Sequence, residues 1–196
     1  MRILVGLLKP NRGEVIFKRA GVQVPFEEVR PRIAYMPQAQ SLYSDLSVSE
    51  HLDFFRVLYD IPRARYQERR QELLKATEME NFVLRPAGKL SGGMYKKLGL
   101  MCALLPSPDV VLLDEPTTGV DPISRREFWS LLYRLLAHSP ILILASTSYM
   151  DEAERCGQVH LMENGKILAS GEPRSVLTFE EVDSFEAFFL KRAAAA

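Results

Sequence analysis

Cysteine is nearly absent: Cys102 and Cys156 are the only two in 196 residues, far apart and in no C-x-x-C arrangement. That count excludes a disulfide scaffold and a zinc ribbon, and each thiol reads as a small buried hydrophobe on a helix. An excess of charge of either sign is also missing, with 25 Lys plus Arg against 25 Asp plus Glu. A dedicated nucleic-acid binder carries a strongly basic footprint, and an anionic lipid surface asks for the same, so neither is expected as the main partner. Long apolar runs are lacking too. The longest nearly apolar stretches, at 98–105 and 141–145, fall far short of the roughly 20 residues a membrane-spanning helix needs. The first ten residues have too short an apolar core for a signal peptide, and no small-x-small cleavage site follows. A soluble, cytoplasmic-type domain is the expectation. What is present is an ordinary globular composition, 47% hydrophobic, enough for a packed core.

Ile3, Leu4, Leu7 and Leu8 have helical spacing with no capping residue before them, which predicts that the chain opens inside a helix. Asn11-Arg12-Gly13 predicts a turn into a strand over 14–17, and a second strand is expected over 32–36, closed by Pro37. Ser47-Val48-Ser49-Glu50 is a capping box. Behind it Val48, Leu52, Phe55 and Leu58 form one helix face that Pro62 stops. In the charged helix over 63–77 only Tyr66, Leu73 and Leu74 look buried, its Arg and Glu forming a solvated face. A third helix runs over 92–105, with Leu98, Met101, Cys102 and Leu105 on one side, and ends at Pro106.

From there strands and helices alternate. Residues 110–113 are all apolar, as in a strand covered on both faces of a parallel sheet. Asp121-Pro122 signals a helix start, followed by Phe128, Leu131, Leu132, Leu135 and Leu136 at helical spacing. A second buried strand is expected over 141–145, a short helix over 151–156, and a hairpin over 159–169 around Asn164-Gly165, a pair suited to a type I′ turn. His51 and His138 read as exposed helix residues and His160 as a strand residue. Residues 193–196 carry no information. The architecture expected is a parallel α/β core with a helical insertion over 39–105.

Two segments carry chemistry. In Leu90-Ser91-Gly92-Gly93-Met94, a serine and two glycines head an amphipathic helix, leaving backbone N–H groups unobstructed at its positive end, an arrangement that suits a phosphate. Taken alone, a plain glycine-rich helix start is the alternative. In Leu112-Leu113-Asp114-Glu115-Pro116, two acids stand at the carboxyl end of a buried strand, the edge where α/β sheets bind ligands. One carboxylate there can hold Mg²⁺ through water and the other can act as a general base; acids capping the next helix are the alternative.

Pro37-Gln38, Leu90-Ser91-Gly92-Gly93, the strand ending in Asp114-Glu115 and Gly119-Val120-Asp121-Pro122, in that order, resemble the nucleotide-binding domain of an ABC transporter. Gln38 matches that family's Q-loop, residues 90–93 its signature, 110–115 its Walker B strand and Gly119–Asp121 its D-loop. The resemblance covers essentially the whole chain. Met94 and Tyr149-Met150-Asp151-Glu152-Ala153-Glu154 are similar to export ATPases for drugs, sodium or lipids that pair with ABC-2-type permeases. The resemblance implies a P-loop NTPase-like α/β fold in one ATP-binding domain over 1–196, with the helical ABC-specific subdomain at 39–105. It also implies ATP and Mg²⁺ as cofactors, with Ser91, Gly92, Gly93, Gln38 and Asp121 on ATP, Asp114 and Gln38 on Mg²⁺, and Glu115 as the base. It further implies a second such domain that completes each ATP site and a permease that meets Gln38 and the helical insertion. The location implied is peripheral, on the cytoplasmic face of the inner or plasma membrane.

Two departures qualify the resemblance. No G-x-x-x-x-G-K-[ST] occurs, since the pair Gly88-Lys89 is followed by Leu90 and lacks the earlier glycine. The phosphate cradle depends on that loop, and the expectation is a chain truncated just after it, inactive alone. The family's switch histidine is replaced by Ser148, whose hydroxyl has neither the reach nor the charge of an imidazole. An intact signature beside an altered switch suggests the degenerate half of an asymmetric pair. The alternatives are a non-transport ABC ATPase acting on nucleic acid or ribosomes, and a pseudo-ATPase fragment. The short span between Gln38 and Ser91 leaves no room for a DNA-repair type coiled coil, and no basic linker is visible.

Overall fold

A computed structural model of the protein describes residues 1–39, 41–138 and 140–194, with His138 described by its backbone alone. The expectations for the His138 side chain and the last two alanines lie outside the described residues. The chain forms two compact units, Met1–Ser146 and Thr147–Ala196.

The first unit is built on a three-stranded parallel sheet, in the order β3 (Ile33–Met36), β4 (Val110–Asp114), β5 (Leu142–Ser146). Register pairs Tyr35 with Leu112 and Leu112 with Leu144. The central strand is the apolar run expected, with Val111, Leu112 and Leu113 buried. β5 differs from expectation: it is an outer strand, and Leu142 (64% exposed) and Leu144 (38%) look outward on one face. An all-apolar run does not tell an edge from a centre. That face borders an apolar cavity of about 400 Å³, lined by Phe17, Ile33, Leu112, Leu142 and Leu144 among others, mostly toward the amino ends of the strands.

The helices divide by sequence. α2 (Val48–Leu58) starts at the capping box, where the Ser47 hydroxyl accepts from the Glu50 N–H (3.2 Å) and the Ser47 N–H donates to Glu50 Oε2 (2.7 Å). Val48 and Leu52 are buried as expected, but Leu58 is 60% exposed. His51, expected outside, is fully buried. Its Nδ1 lies 2.9 Å from the Ser47 carbonyl and its Nε2 accepts from the Tyr43 N–H at 3.0 Å, so the ring is the Nδ1–H tautomer. Both ring nitrogens are used, which lets an imidazole sit inside. α3 (Arg63–Thr77) buries Tyr66, Leu73 and Leu74, with Thr77 added. α4 (Gly92–Leu104) is buried on more than one side, from Leu98 through Met101 to Leu104, each such side chain adding roughly 1.5–3 kcal/mol. α5 (Pro122–His138) buries Phe128, Leu131 and Leu132, while Leu136 is 40% exposed.

The amino terminus corrects the sequence reading most. Residues 1–8 form no helix but a run of turns, with Leu4 N–H on the Met1 carbonyl and Leu7 N–H on the Arg2 carbonyl (2.9 Å each). Gly6 has φ +73°, a left-handed value that breaks the helical path, and a Cβ there would stand 2.8 Å from Phe26 Cε1. The first strand lies later than expected, as β1 (Phe17–Arg19), and pairs antiparallel with β2 (Val22–Val24), which the sequence reading missed. A four-residue helix, α1 (Phe26–Val29), follows.

The second unit holds α6 (Met150–Ala153), shorter than expected so that Cys156 falls outside a helix. The hairpin β6 (Val159–Glu163) and β7 (Lys166–Gly171) turns at Asn164 (φ 49°) and Gly165 (φ 74°). Two helices not read from the sequence complete it, α7 (Pro173–Phe179) and α8 (Phe185–Ala193). Val159, Leu161, Val176, Phe185 and Phe188 form its core.

Candidate active site

The carboxyl ends of the three parallel strands bring the candidate residues of the first unit to one edge. Gln38 follows β3, Asp114 ends β4 with Glu115 next, and Ser146 ends β5 opposite Asp114 in register. Strand ends must diverge into loops here, and open α/β sheets bind ligands at this edge.

Asp114 is held from both sides. Tyr35 Oη donates to Oδ2 at 3.0 Å and Ser146 Oγ donates to Oδ1 at 2.6 Å. Burial, then the bond to Asp114, raises the Tyr35 phenol above its ordinary value, so it stays a donor. Glu115 sits in the left-handed region at φ 48°, a conformation that costs a non-glycine residue roughly 1–2 kcal/mol. Its N–H donates to both the carbonyl and the hydroxyl of Ser146 at 3.1 Å each, and Thr118 Oγ1 donates to Glu115 Oε2 at 2.9 Å. These bonds offset the strain and aim the carboxylate, and retained strain of this kind collects at functional sites.

The Gln38 side chain is exposed, and its backbone carbonyl accepts from Lys96 Nζ at 3.5 Å. Lys96 is only 7% exposed, and burial lowers its pKa against the opposing pull of the Glu115 charge. The oxygen donors at this edge, the Asp114 carboxylate and the Gln38 amide, suit a hard cation held partly by water and phosphate oxygens. Among the described residues no group of three His, Cys, Asp or Glu is placed to cage a metal alone.

The glycine-rich segment is a helix start. Ser91 caps α4, its hydroxyl accepting from the Met94 N–H at 3.3 Å, and Ser91 and Gly92 are exposed. The loop that delivers them is stitched to α2. Val48 N–H donates to the Arg85 carbonyl (3.1 Å), Ser49 N–H to that of Val83 (2.8 Å) and Ala87 N–H to that of Leu46 (2.9 Å). The first N–H groups of a helix lack partners within it, and these carbonyls satisfy two of them in α2. The two glycines differ in cause. A Cβ on Gly93 would stand 2.6 Å from Ser124 Cβ, whereas one on Gly92 would meet only the Gly119 carbonyl at 3.7 Å. Packing on α5 explains Gly93, while Gly92 is left bare toward solvent.

Asp121 caps α5, its Oδ1 accepting from the Ile123 (3.1 Å) and Ser124 (2.9 Å) N–H groups. The bond from the Ser124 backbone chiefly lowers its pKa. Ser148 is the second residue of the second unit and is exposed. The loop around it is braced within that unit, where Thr147 Oγ1 donates to the buried Glu152 Oε2 (2.6 Å) and accepts from the Tyr149 N–H (3.0 Å). Sequence reasoning missed Tyr35, Ser146 and Thr118. Their hydroxyls sit at predictable strand ends and turns, but nothing local distinguishes them from ordinary surface residues.

The ABC transporter family profile matches residues 1–118. The chain is 44% identical over 182 residues to the Probable multidrug ABC transporter ATP-binding protein YbhF of Escherichia coli, covering 90% of this chain and 30% of that protein. It is 35% identical over 183 residues to the Nod factor export ATP-binding protein I of Ralstonia nicotianae, covering 92% of this chain and 56% of that one. The chain thus spans less than two thirds of the length of either relative. Among solved structures, an ATP binding subunit of an ABC transporter superposes with TM-score 0.79 at 27% identity, covering 97% of this chain and 80% of the other. The cbiO1 protein from Clostridium perfringens, part of the ABC transporter complex cbiONQ, does so with TM-score 0.79 at 28% identity, covering 92% and 74%. A family match over more than half the chain, on a fold shared with solved ATP-binding subunits, makes this chain a member of the ABC transporter family, an ATP-binding domain.

Proposed function

We propose that this domain couples ATP binding and hydrolysis to export through a membrane permease, of the ABC-2 type. The observation that carries the reading is the pairing of Asp114 and Glu115 at the carboxyl edge of the sheet, one held by two hydroxyls and the other aimed by its own backbone. Asp114 and Gln38 would hold Mg²⁺ through oxygen, and the ion would supply charge neutralisation to the phosphate being transferred. Glu115 accepts a proton from the attacking water, its Oε2 steadied by Thr118. Ser91, with the N–H groups of Gly92 and Gly93 at the start of α4, binds phosphate of a nucleotide on a second copy or second domain. Gly119–Asp121 lines the same junction, with Asp121 fixing the start of α5.

The helical stretch at 39–105 forms the permease-facing part. Tyr43, Phe54, Val57, Leu58 and Tyr59 are exposed on or beside α2, and apolar exposure of that extent marks a contact surface. No helix among the described residues is long and apolar enough to cross a membrane; in this reading a permease supplies the membrane path and holds the domain at the inner or plasma membrane. Ser148 in the switch position makes this the weaker half of an asymmetric pair. Vesicle transport and ATPase assays of the assembled system test the reading. Glu115→Gln with Ser91→Ala together should abolish both activities, and full coupled transport in that double variant rejects it.

A further inference from the structure

We propose that Ser146 is a positioning residue shared by the two acids, its single hydroxyl tying the Asp114 carboxylate to the backbone turn that aims Glu115. A hydroxyl has one proton and two lone pairs. The proton goes to Asp114 Oδ1 at 2.6 Å, the length of a bond donated to an ionised carboxylate, and a lone pair receives the Glu115 N–H at 3.1 Å. The polarity of the chain is fixed, because an ionised Asp114 accepts only and a backbone N–H donates only. Register makes this possible, since Asp114 and Ser146 are direct partners across β4 and β5. Each bond strengthens the other, as donating to an anion makes the hydroxyl oxygen a better acceptor. The Glu115 N–H also donates to the Ser146 carbonyl at 3.1 Å. Glu115 needs that hold because it is the strained residue, at φ 48°. Tyr35 completes the clamp from the other side, on Asp114, whereas the Ser146 hydroxyl reaches the residues of both acids.

The first test needs neither nucleotide nor metal. In the 196-residue chain, Ser146→Ala and the near-isosteric Ser146→Cys should each speed amide hydrogen exchange at Glu115 about three- to tenfold, the scale of one lost hydrogen bond. Ser146→Thr should restore it, and Asp114→Ala should speed it with Ser146 intact. Unchanged Glu115 exchange in both Ser146 variants, or in Asp114→Ala, overturns the proposal. So does equal acceleration at Leu113, which marks loss of the strand rather than of the hydroxyl. The second test rests on the reading of Asp114 as the Mg²⁺ residue. In the assembled ATPase, Ser146→Ala and Ser146→Cys should raise the Mg²⁺ concentration for half-maximal hydrolysis about three- to tenfold, with Ser146→Thr near the parent. If Asp114→Asn leaves that concentration unchanged, the Mg²⁺ reading fails. If Asp114→Asn raises it and the Ser146 variants do not, the Ser146 inference fails.

Discussion

Gly93 and Ser124 press together so closely that a Cβ on Gly93 would lie 2.6 Å from Ser124 Cβ, fixing the start of α4 against α5. Gly93→Ala is expected to destabilise by about 1–3 kcal/mol through overpacking, partly offset by the roughly 1 kcal/mol that alanine gains over glycine in a helix. Gly92→Ala, with its nearest contact at 3.7 Å, should leave stability within about 0.5 kcal/mol yet lower turnover in the assembled ATPase. Urea unfolding midpoints of the two variants check the contrast.

If this domain is the weaker half of a pair, Ser91 matters more for turnover than Glu115. Losing one charge-assisted bond to phosphate costs roughly 1.5–3 kcal/mol, so Ser91→Ala is expected to slow hydrolysis about 10–100-fold. Glu115→Gln should leave most activity. The comparison is made at saturating MgATP, one variant at a time. Abolition by Glu115→Gln with a mild Ser91→Ala would assign this domain the catalytic half.

The capping box on α2 sets a pH dependence. Hydrogen bonds from the Ser47 hydroxyl, then from its backbone N–H, hold the Glu50 carboxyl below its ordinary value. A carboxyl lowered in the folded state stabilises above its unfolded value of about 4.3, and that contribution fades as pH falls through the folded value. Thermal midpoints of the parent chain should drop between about pH 5 and pH 3 more steeply than those of Glu50→Gln. Equal slopes would show that the box contributes nothing to the acid limb.

His51 supports the loop before α2 from inside. His51→Leu leaves the Tyr43 N–H without its acceptor, at a cost of about 0.5–1.5 kcal/mol for a lost hydrogen bond. Denaturant unfolding measures it, and faster amide exchange at Tyr43 should accompany the loss.

Residues 1–196 contain no G-x-x-x-x-G-K-[ST], the loop whose N–H groups and lysine cradle phosphate. Calorimetry of this polypeptide with MgATP is expected to show no micromolar binding. Micromolar binding would mean that phosphate is held elsewhere, with the start of α4 the first place to look.

Sequence legibility followed the reach of each physical signal. The capping box at Ser47–Glu50, the apolar strand before Asp114 and the Asn164-Gly165 turn are local devices, and each stands where the sequence put it. The parallel sheet was legible from its short all-apolar runs. The first eight residues misled because apolar spacing alone cannot register a glycine whose φ is left-handed. His51 misled because its burial depends on acceptors and donors supplied by Tyr43 and Ser47, which become neighbours only when the loop closes. Ser146 and Tyr35 were invisible because their partner, Asp114, is reached across strands from distant parts of the chain. The helices after Pro173 were simply not read.

The outward flank of β5 has a further consequence, for handling rather than catalysis. No strand pairs with that flank among the described residues, and Leu142 and Leu144 stand beside it in the open. Unpaired N–H and C=O groups flanked by apolar side chains form a template that another extended chain can join. The polypeptide should therefore scatter light increasingly with concentration and refold best when dilute, and a lysine at position 142 or 144 should relieve this without disturbing the carboxyl edge, where the acids sit.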